Sequence, residues 1–187
     1  PSRATMFSGK YHTEHGIYTV KNSDRGKRKT RKLIPIVTKS NLDLDFFVIP
    51  EMLKDLGYVN GHFGKWHLGD IGFHPENSGF DVNIGGNKHG GPGSYFAPYP
   101  YVKLEDETKG EYLTDRIGDE VVKFIDINKE NNFFAYVPFF SVHTPIQSKT
   151  DYQKKYRNKD SNEYHNRADY AGMIQSLDEN VGKIIDK

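Results

Sequence analysis

Apolar positions divide the 187-residue chain into alternating blocks. The opening "PSRATMFSG" at 1–9 is bracketed by Pro1 and Gly9. Proline suits a first helical position, where its missing N–H costs nothing, and glycine suits a left-handed stop, so a short helix is predicted. In "IPEMLKDLGY" at 49–58, Pro50 starts a second helix, Met52, Leu53 and Leu56 share a face, and Gly57 ends it. "YVNGHF" at 58–63 reads as a strand running into "GKWHLGD". Residues 71–101 are rich in Gly, Pro and aromatics without periodicity. They predict a long ordered loop, which in a compact domain is usually functional. Helical spacing returns at Leu113, Ile117, Val121, Phe124 and Ile125. "NNFFAYVPFFSVHTP" at 131–145 then reads as a fully buried strand ending in a polar loop. The spacing of Tyr170, Met173, Ile174, Leu177, Val181, Ile184 and Ile185 predicts a last helix. This alternation is that of an α/β protein with a mostly parallel sheet flanked by helices. No repeat, low-complexity tract or domain boundary is visible.

Composition narrows the function classes. Apolar residues make up 35%, and the 18 glycines raise that to about 45%, an ordinary globular share. Lys plus Arg number 26 against 25 Asp plus Glu, and a net charge of +1 predicts no nucleic-acid partner. The absence of cysteine excludes disulfides, thiolate metal sites and a thiol nucleophile within these residues. The longest apolar run, at 133–142, is too short to cross a bilayer. No signal peptide is visible, but the first residues read as the middle of a protein, so no compartment follows. Six basic residues fall among positions 25–32; they read either as a solvated loop or as a contact for an anionic polymer.

Ligands of open α/β sheets gather beyond the carboxyl ends of the strands, and two polar clusters fall there. In "GHFGKWHLG", Lys65 and His67 are two apart, so in an extended segment both point one way and Trp66 the other. This is either a donor pair suited to an oxyanion or a tight turn pinned by Trp66. In "SVHTPIQ", His143 follows the buried strand and Pro145 keeps Thr144 extended. It is either a hydrogen-bonded structural histidine or a catalyst. Arg3 is a third group. In a first helical turn it opposes the dipole, which makes sense if an anion binds there. Arg3, Lys65, His67 and His143 together would form a site for a tetrahedral oxyanion, suited to sulfate or phosphate chemistry.

The order of these residues resembles the type I sulfatase family. Its first signature is Cys or Ser, any residue, Pro-Ser-Arg, two residues, two apolar ones, a small residue and Gly. "PSRATMFSG" matches all but the first two positions, with Ser8 where Thr is usual. "GYVNGHFGKWHLG" is similar to the second signature, with Asn60 where Ser or Thr is expected and Phe63 where a smaller residue is expected. "GFD" at 79–81, "EYLTDRIGDEVVKFI", "PFFSVHTPIQ" and "MIQSLDENVGKII" follow the family in order, so the resemblance covers the whole chain.

The resemblance implies an alkaline-phosphatase-like α/β fold and hydrolysis of sulfate esters. The nucleophile would be a formylglycine made from the Cys or Ser two residues before Pro1. Its hydrated aldehyde would attack sulfur, and the remaining hydroxyl would then expel sulfate. By the same resemblance Arg3 would hold the formylglycine hydroxyl and Lys65 would bind sulfate. His67 would contact the nucleophile and assist elimination, and His143 would protonate or hydrogen-bond the leaving oxygen. The family's calcium ligands, the first strand and later strands match nothing in these residues. The expectation is therefore that 1–187 is an internal part of an N-terminal catalytic domain, inactive alone and completed by the rest of the polypeptide.

"GGNKHGGPGSYFAPYPYVKLEDETKGEYLTD" looks similar to loops of bacterial polysaccharide sulfatases. In it Tyr95, Phe96, Tyr99 and Tyr101 would either stack on sugar rings or pack on the core. The substrate implied is a sulfated carbohydrate or aryl sulfate, and the location periplasmic, cell-surface or secreted. Two alternatives stand beside this: an inactive homologue binding sulfated glycan through residues 25–32, and a phosphoryl-transfer relative. "PSR" and "GKWHLG" argue against the latter.

Overall fold

The computed structural model describes residues 1–20, 26–105, 108–160 and 162–187. Helix α1 (Ser2–Ser8) starts from Pro1 and stops at Gly9, which takes the left-handed conformation. Ala4 and Phe7, three apart on one face, are its buried residues. Helix α2 (His12–His15) is tied to α1 by His15. The Ile17 N–H donates to His15 Nδ1 at 3.1 Å, so the remaining proton sits on Nε2 and points to Thr5 Oγ1, also at 3.1 Å. Of the basic loop, Arg25 lies outside the described residues, and Arg28–Thr30 form one exposed 3-10 turn.

Helix α3 (Ile49–Asp55) is shorter than the predicted span. Only Pro50 is fully buried, and Met52 and Leu56 face solvent, so the expected apolar face is not a core face here. Strand β1 (Val59–Phe63) is the centre of a three-stranded parallel sheet, with β2 (Val82–Ile84) on one side and β3 (Phe133–Tyr136) on the other. Gly61 pairs with both Val82 and Ala135. Strand β2 and a 3-10 turn at Pro75–Ser78 interrupt the stretch predicted as loop. The predicted long buried strand contracts to the four residues of β3, each half-buried, because β3 is an edge strand and Pro138 follows it.

Helix α4 (Leu113–Asn128) buries Leu113, Ile117, Val121 and Phe124, the predicted face. Helix α5 (Thr150–Arg157) was not legible in the pattern: it is polar and buries no residue fully. Helix α6 (Ala168–Ile185) packs on α4 and α5. Its buried face is Gly172, Met173, Ser176 and Asn180, whereas Tyr170, Ile174, Val181 and Ile185 are exposed.

Alternation along β1 separates two cores. Phe63 joins α4 in a cluster with Tyr95, Tyr99, Tyr112 and Met173. His62 turns to the other face, against Trp66, Phe80 and Tyr136, beside the cluster that receives Ala4 and Phe7 of α1. The opening helix thus packs on the side of the sheet where β1 delivers its next residues. Among the described residues no helix is long and apolar enough to cross a membrane.

Candidate active site

The turn after β1 is fixed from both sides. The Gly64 N–H donates to Ile84 O and the Lys65 N–H to Pro138 O, both at 2.8 Å, so the end of β2 and the segment after β3 clamp it. Trp66 is buried, and its indole N–H donates to Phe73 O at 2.7 Å. His67 follows with φ 57°, the only positive φ outside glycine among the described residues. Its N–H donates to Asn87 O at 2.9 Å. The segment is therefore not the extended piece predicted. Lys65 and His67 nevertheless reach the same side, through a left-handed kink that costs about 1 kcal/mol and is held by Trp66 and Asn87.

That side is a cavity of about 280 Å³ lined by Pro1, Arg3, Lys65, His67, Lys39 and Lys88 among others. Its cations are of two kinds. Lys39 pairs with Asp43 at 3.4 Å and Lys88 with Asp70 at 2.9 Å. Arg3 and Lys65 have no carboxylate partner among the described residues; Arg3 reaches Trp66 O at 3.5 Å and the Tyr136 hydroxyl. Helix α1 has only two turns, so the positive charge at this end comes from the Arg3 guanidinium rather than from the helix dipole. Burial, and then the Arg3 charge, lower the Lys65 pKa to about 8. Burial first, then Lys65 and Arg3, lower His67 to about 4, so at neutral pH it is an uncharged imidazole able to take a proton. Two unpaired cations and a neutral base, partly desolvated together, suit a bound dianion, which would hold Lys65 charged and raise the His67 pKa.

His143 does not line that cavity. It lies across the Gly90–Gly91 segment, in an open depression of about 450 Å³ with Gly91, Thr144 and Pro145. A Cβ on Gly90 would come 2.6 Å from the His67 ring, and one on Gly91 would come 2.9 Å from the His143 ring. The two imidazoles therefore flank one glycine pair and are close enough for His143 to help depress the His67 pKa. The His143 N–H donates to Phe140 O at 2.9 Å and to the Tyr95 hydroxyl at 3.1 Å. Its Nδ1 lies 2.8 Å from Thr144 O, and a carbonyl only accepts, so Nδ1 holds a proton and Nε2 is the nitrogen left for chemistry.

The structure thus brings Arg3, Lys65 and His67 to one cavity and sets His143 at its flank. Of the aromatics considered for sugar stacking, Tyr95 and Tyr99 are core residues and Phe96 packs on Tyr112, so packing takes all three. Only Tyr101 stays exposed. Sequence reasoning missed Asn87, His89 and the Gly90–Gly91 contact. Their signal was the glycine density of "GGNKHGGPG", which marks close backbone approach. His62, also missed, is fully buried beneath the turn. Neither ring nitrogen makes a well-formed hydrogen bond among the described residues, and burial, only partly offset by the nearby Asn83 side chain and Lys65 backbone, lowers its pKa to about 3.

The chain matches the Sulfatase family model over residues 1–187. It is 30% identical to a sulfatase of Formosa agariphila, covering 99% of this chain and 42% of that protein. It is 27% identical to the human N-acetylgalactosamine-6-sulfatase, covering 100% of this chain and 36% of that one. Among solved structures it is similar to Ps i-CgsB, at 28% identity and a TM-score of 0.72, covering 100% of this chain and 43% of that one. A second structure of that protein holds k-i-k-neocarrahexaose. The chain therefore spans about two fifths of the length of these relatives.

Proposed function

The chain belongs to the sulfatase family, and from that premise we propose that it forms the sulfate-binding part of a sulfuric ester hydrolase acting on a sulfated carbohydrate. The single observation behind this reading is the cavity in which Arg3, Lys65 and His67 converge, with no carboxylate among the described residues paired to either cation and the lining Asp70 taken by Lys88. Lys65 binds the sulfate oxygens as a point charge. Arg3 orients the nucleophile and shares the negative charge, and His67, neutral in the free site, takes the proton of the nucleophile's hydroxyl, its basicity raised by the bound anion. His143 acts on the other side of Gly90–Gly91: with Nδ1–H held by Thr144 O, the ring protonated at Nε2 as well gives that Nε2 proton to the leaving oxygen and returns to the neutral imidazole.

Members of the family use a formylglycine and calcium. The cationic donors of the cavity fit the first, which would supply the nucleophile, with Arg3 and His67 at its hydroxyl. They do not fit the second. Among the described residues no group of three or more His, Asp or Glu converges, and the free charges of the cavity are positive. We place residues 1–187 in the N-terminal catalytic domain of an exported enzyme, periplasmic, cell-surface or secreted. The remaining polypeptide would supply nucleophile, calcium ligands and further strands; the two-fifths coverage of the relatives supports this.

Two measurements on the full-length protein test the reading. Release of inorganic sulfate from sulfated oligosaccharides is expected, and its absence across a panel of them would sink the carbohydrate assignment. In His143→Ala, hydrolysis of a sugar sulfate is expected to fall about 100-fold or more. Hydrolysis of 4-nitrophenyl sulfate should fall far less, because that leaving group departs without a proton; equal losses would remove His143 from the leaving-group role.

The Lys65 pKa sets a pH dependence. Below about 8 the ammonium is present and sulfate binds fully; as pH rises through that value the charge is lost. Inhibition by inorganic sulfate should therefore weaken above pH 8, and in Lys65→Ala it should be weaker by about 10- to 100-fold at pH 7. If the variant's inhibition constant matches the parent's, Lys65 does not touch sulfate.

A further inference from the structure

Asn87 binds three neighbours at once. Its carbonyl accepts from His67 N–H at 2.9 Å, its Oδ1 accepts from His89 N–H at 2.8 Å, and its Nδ2 donates to Tyr101 O at 2.8 Å. The side chains so placed are stacked: the His89 and Tyr101 rings lie 4.7 Å apart at 14°. Gly93, at φ 75°, allows the stack, since a Cβ there would come 2.6 Å from Pro100 and 2.8 Å from the Tyr101 ring. Unlike Tyr95 and Tyr99, which are buried, Tyr101 is 49% exposed.

The pair forms a ridge between two depressions. On one side it shares the 450 Å³ depression with His143 and Gly91. On the other it shares one of about 410 Å³ with Asp70, Glu76 and Lys103. Both volumes are in the range of small-ligand sites. A core stack would bury its tyrosine and a purely solvated one would not need a glycine and an asparagine to hold it. The surroundings are polar, so the ridge does not resemble a protein-docking patch. An exposed aromatic pair ringed by carboxylates and a lysine offers a flat apolar face with hydrogen-bonding groups at its edge. That is the complement of a pyranose ring, whose axial C–H face is apolar and whose rim is hydroxyl.

We propose that His89 and Tyr101, hung from Asn87, form a saccharide-binding subsite that holds the sugar ring carrying the leaving oxygen beside His143. This rests on the carbohydrate sulfatase reading above and deepens it. Asn87 is then a positioning residue: one residue sets both the His67 backbone and the sugar ridge, so catalytic and binding groups keep a fixed spacing.

The test compares two substrates in the full-length protein: 4-nitrophenyl sulfate, which has no sugar, and the best-cleaved member of a panel of sulfated galactan and sulfated N-acetylgalactosamine oligosaccharides. In Tyr101→Ala the ratio of kcat/KM for saccharide to that for aryl sulfate is expected to fall about tenfold, mainly through KM. Tyr101→Phe, which keeps the stack, should restore most of that ratio. An unchanged ratio in Tyr101→Ala overturns the subsite, and so does an equal loss on both substrates, which would mean that the loop is only structural. If the parent protein cleaves the aryl sulfate but no saccharide, the carbohydrate assignment fails and the subsite with it. Failure to cleave either would instead overturn the sulfatase reading.

Discussion

Replacing His67 by alanine in the full-length protein is expected to lower turnover about 10²- to 10⁴-fold, the range for loss of a positioned proton-transfer group. His67 has two roles that the experiment must separate. Chemically it is the neutral base of the cavity, with its pKa lowered to about 4 by burial and by Lys65 and Arg3. Structurally it occupies a left-handed position at φ 57°, which alanine fills at a cost of about 1 kcal/mol. His67→Asn separates the two, since asparagine tolerates that conformation but moves no proton. The expected result is equal loss of turnover in both variants, with His67→Asn melting closer to the parent. If His67→Asn keeps near-parental turnover, the residue is a turn element and not a base. The sign of the pH effect follows from the same shift. A base with a depressed pKa stays available as pH falls through 6.5 and is lost only near 4, so the His67 contribution to kcat/KM should persist to unusually acid pH.

Much of the site was legible because its residues follow one another closely along the chain. The Lys65 to His67 spacing, with Trp66 between them, needs no long-range information, and Trp66 is indeed the buried anchor. Arg3 was recognisable because a lone cation in a first turn lacks a local reason to be there. What the pattern could not show is set by packing between distant segments. Nothing near Asn87 indicates that its carbonyl ends up against His67, 20 residues earlier. Helix α6 is the clearest failure of periodicity. Its apolar stripe at Ile174, Val181 and Ile185 is exposed, and its buried face contains Ser176 and Asn180. Asn180 is buried because Asp115 accepts from it at 2.8 Å and because Gly118 of α4 leaves the space its amide fills. A close helix contact of this kind follows from a glycine in the partner helix, not from hydrophobicity. Strand β2 was missed for a simpler reason: three residues are too few for a period of two to register.

Gly64→Ala should destabilise the protein more than any single loss of a side chain at the site, by about 2–4 kcal/mol. Gly64 has φ 121°, outside the range alanine normally adopts, and an added Cβ would lie 2.4 Å from Pro138 O. That oxygen cannot simply move away, since it accepts the Lys65 N–H at 2.8 Å, while the Gly64 N–H is committed to Ile84 O at the same distance. Relief therefore requires separating the end of β2 and the segments that follow β1 and β3, and Lys65 moves with them. Gly9→Ala supplies the control: Gly9 also has positive φ, 64°, but a Cβ there meets nothing within 4 Å, so it reports the backbone cost alone, about 1 kcal/mol. Denaturant unfolding of both variants in the full-length protein, together with sulfate inhibition, makes the comparison. The expected outcome is a larger loss of stability in Gly64→Ala, accompanied by weakened sulfate inhibition, with Gly9→Ala retaining parental inhibition. Equal destabilisation of the two would mean that the clamp around Gly64 yields easily and that the Lys65 position does not depend on it.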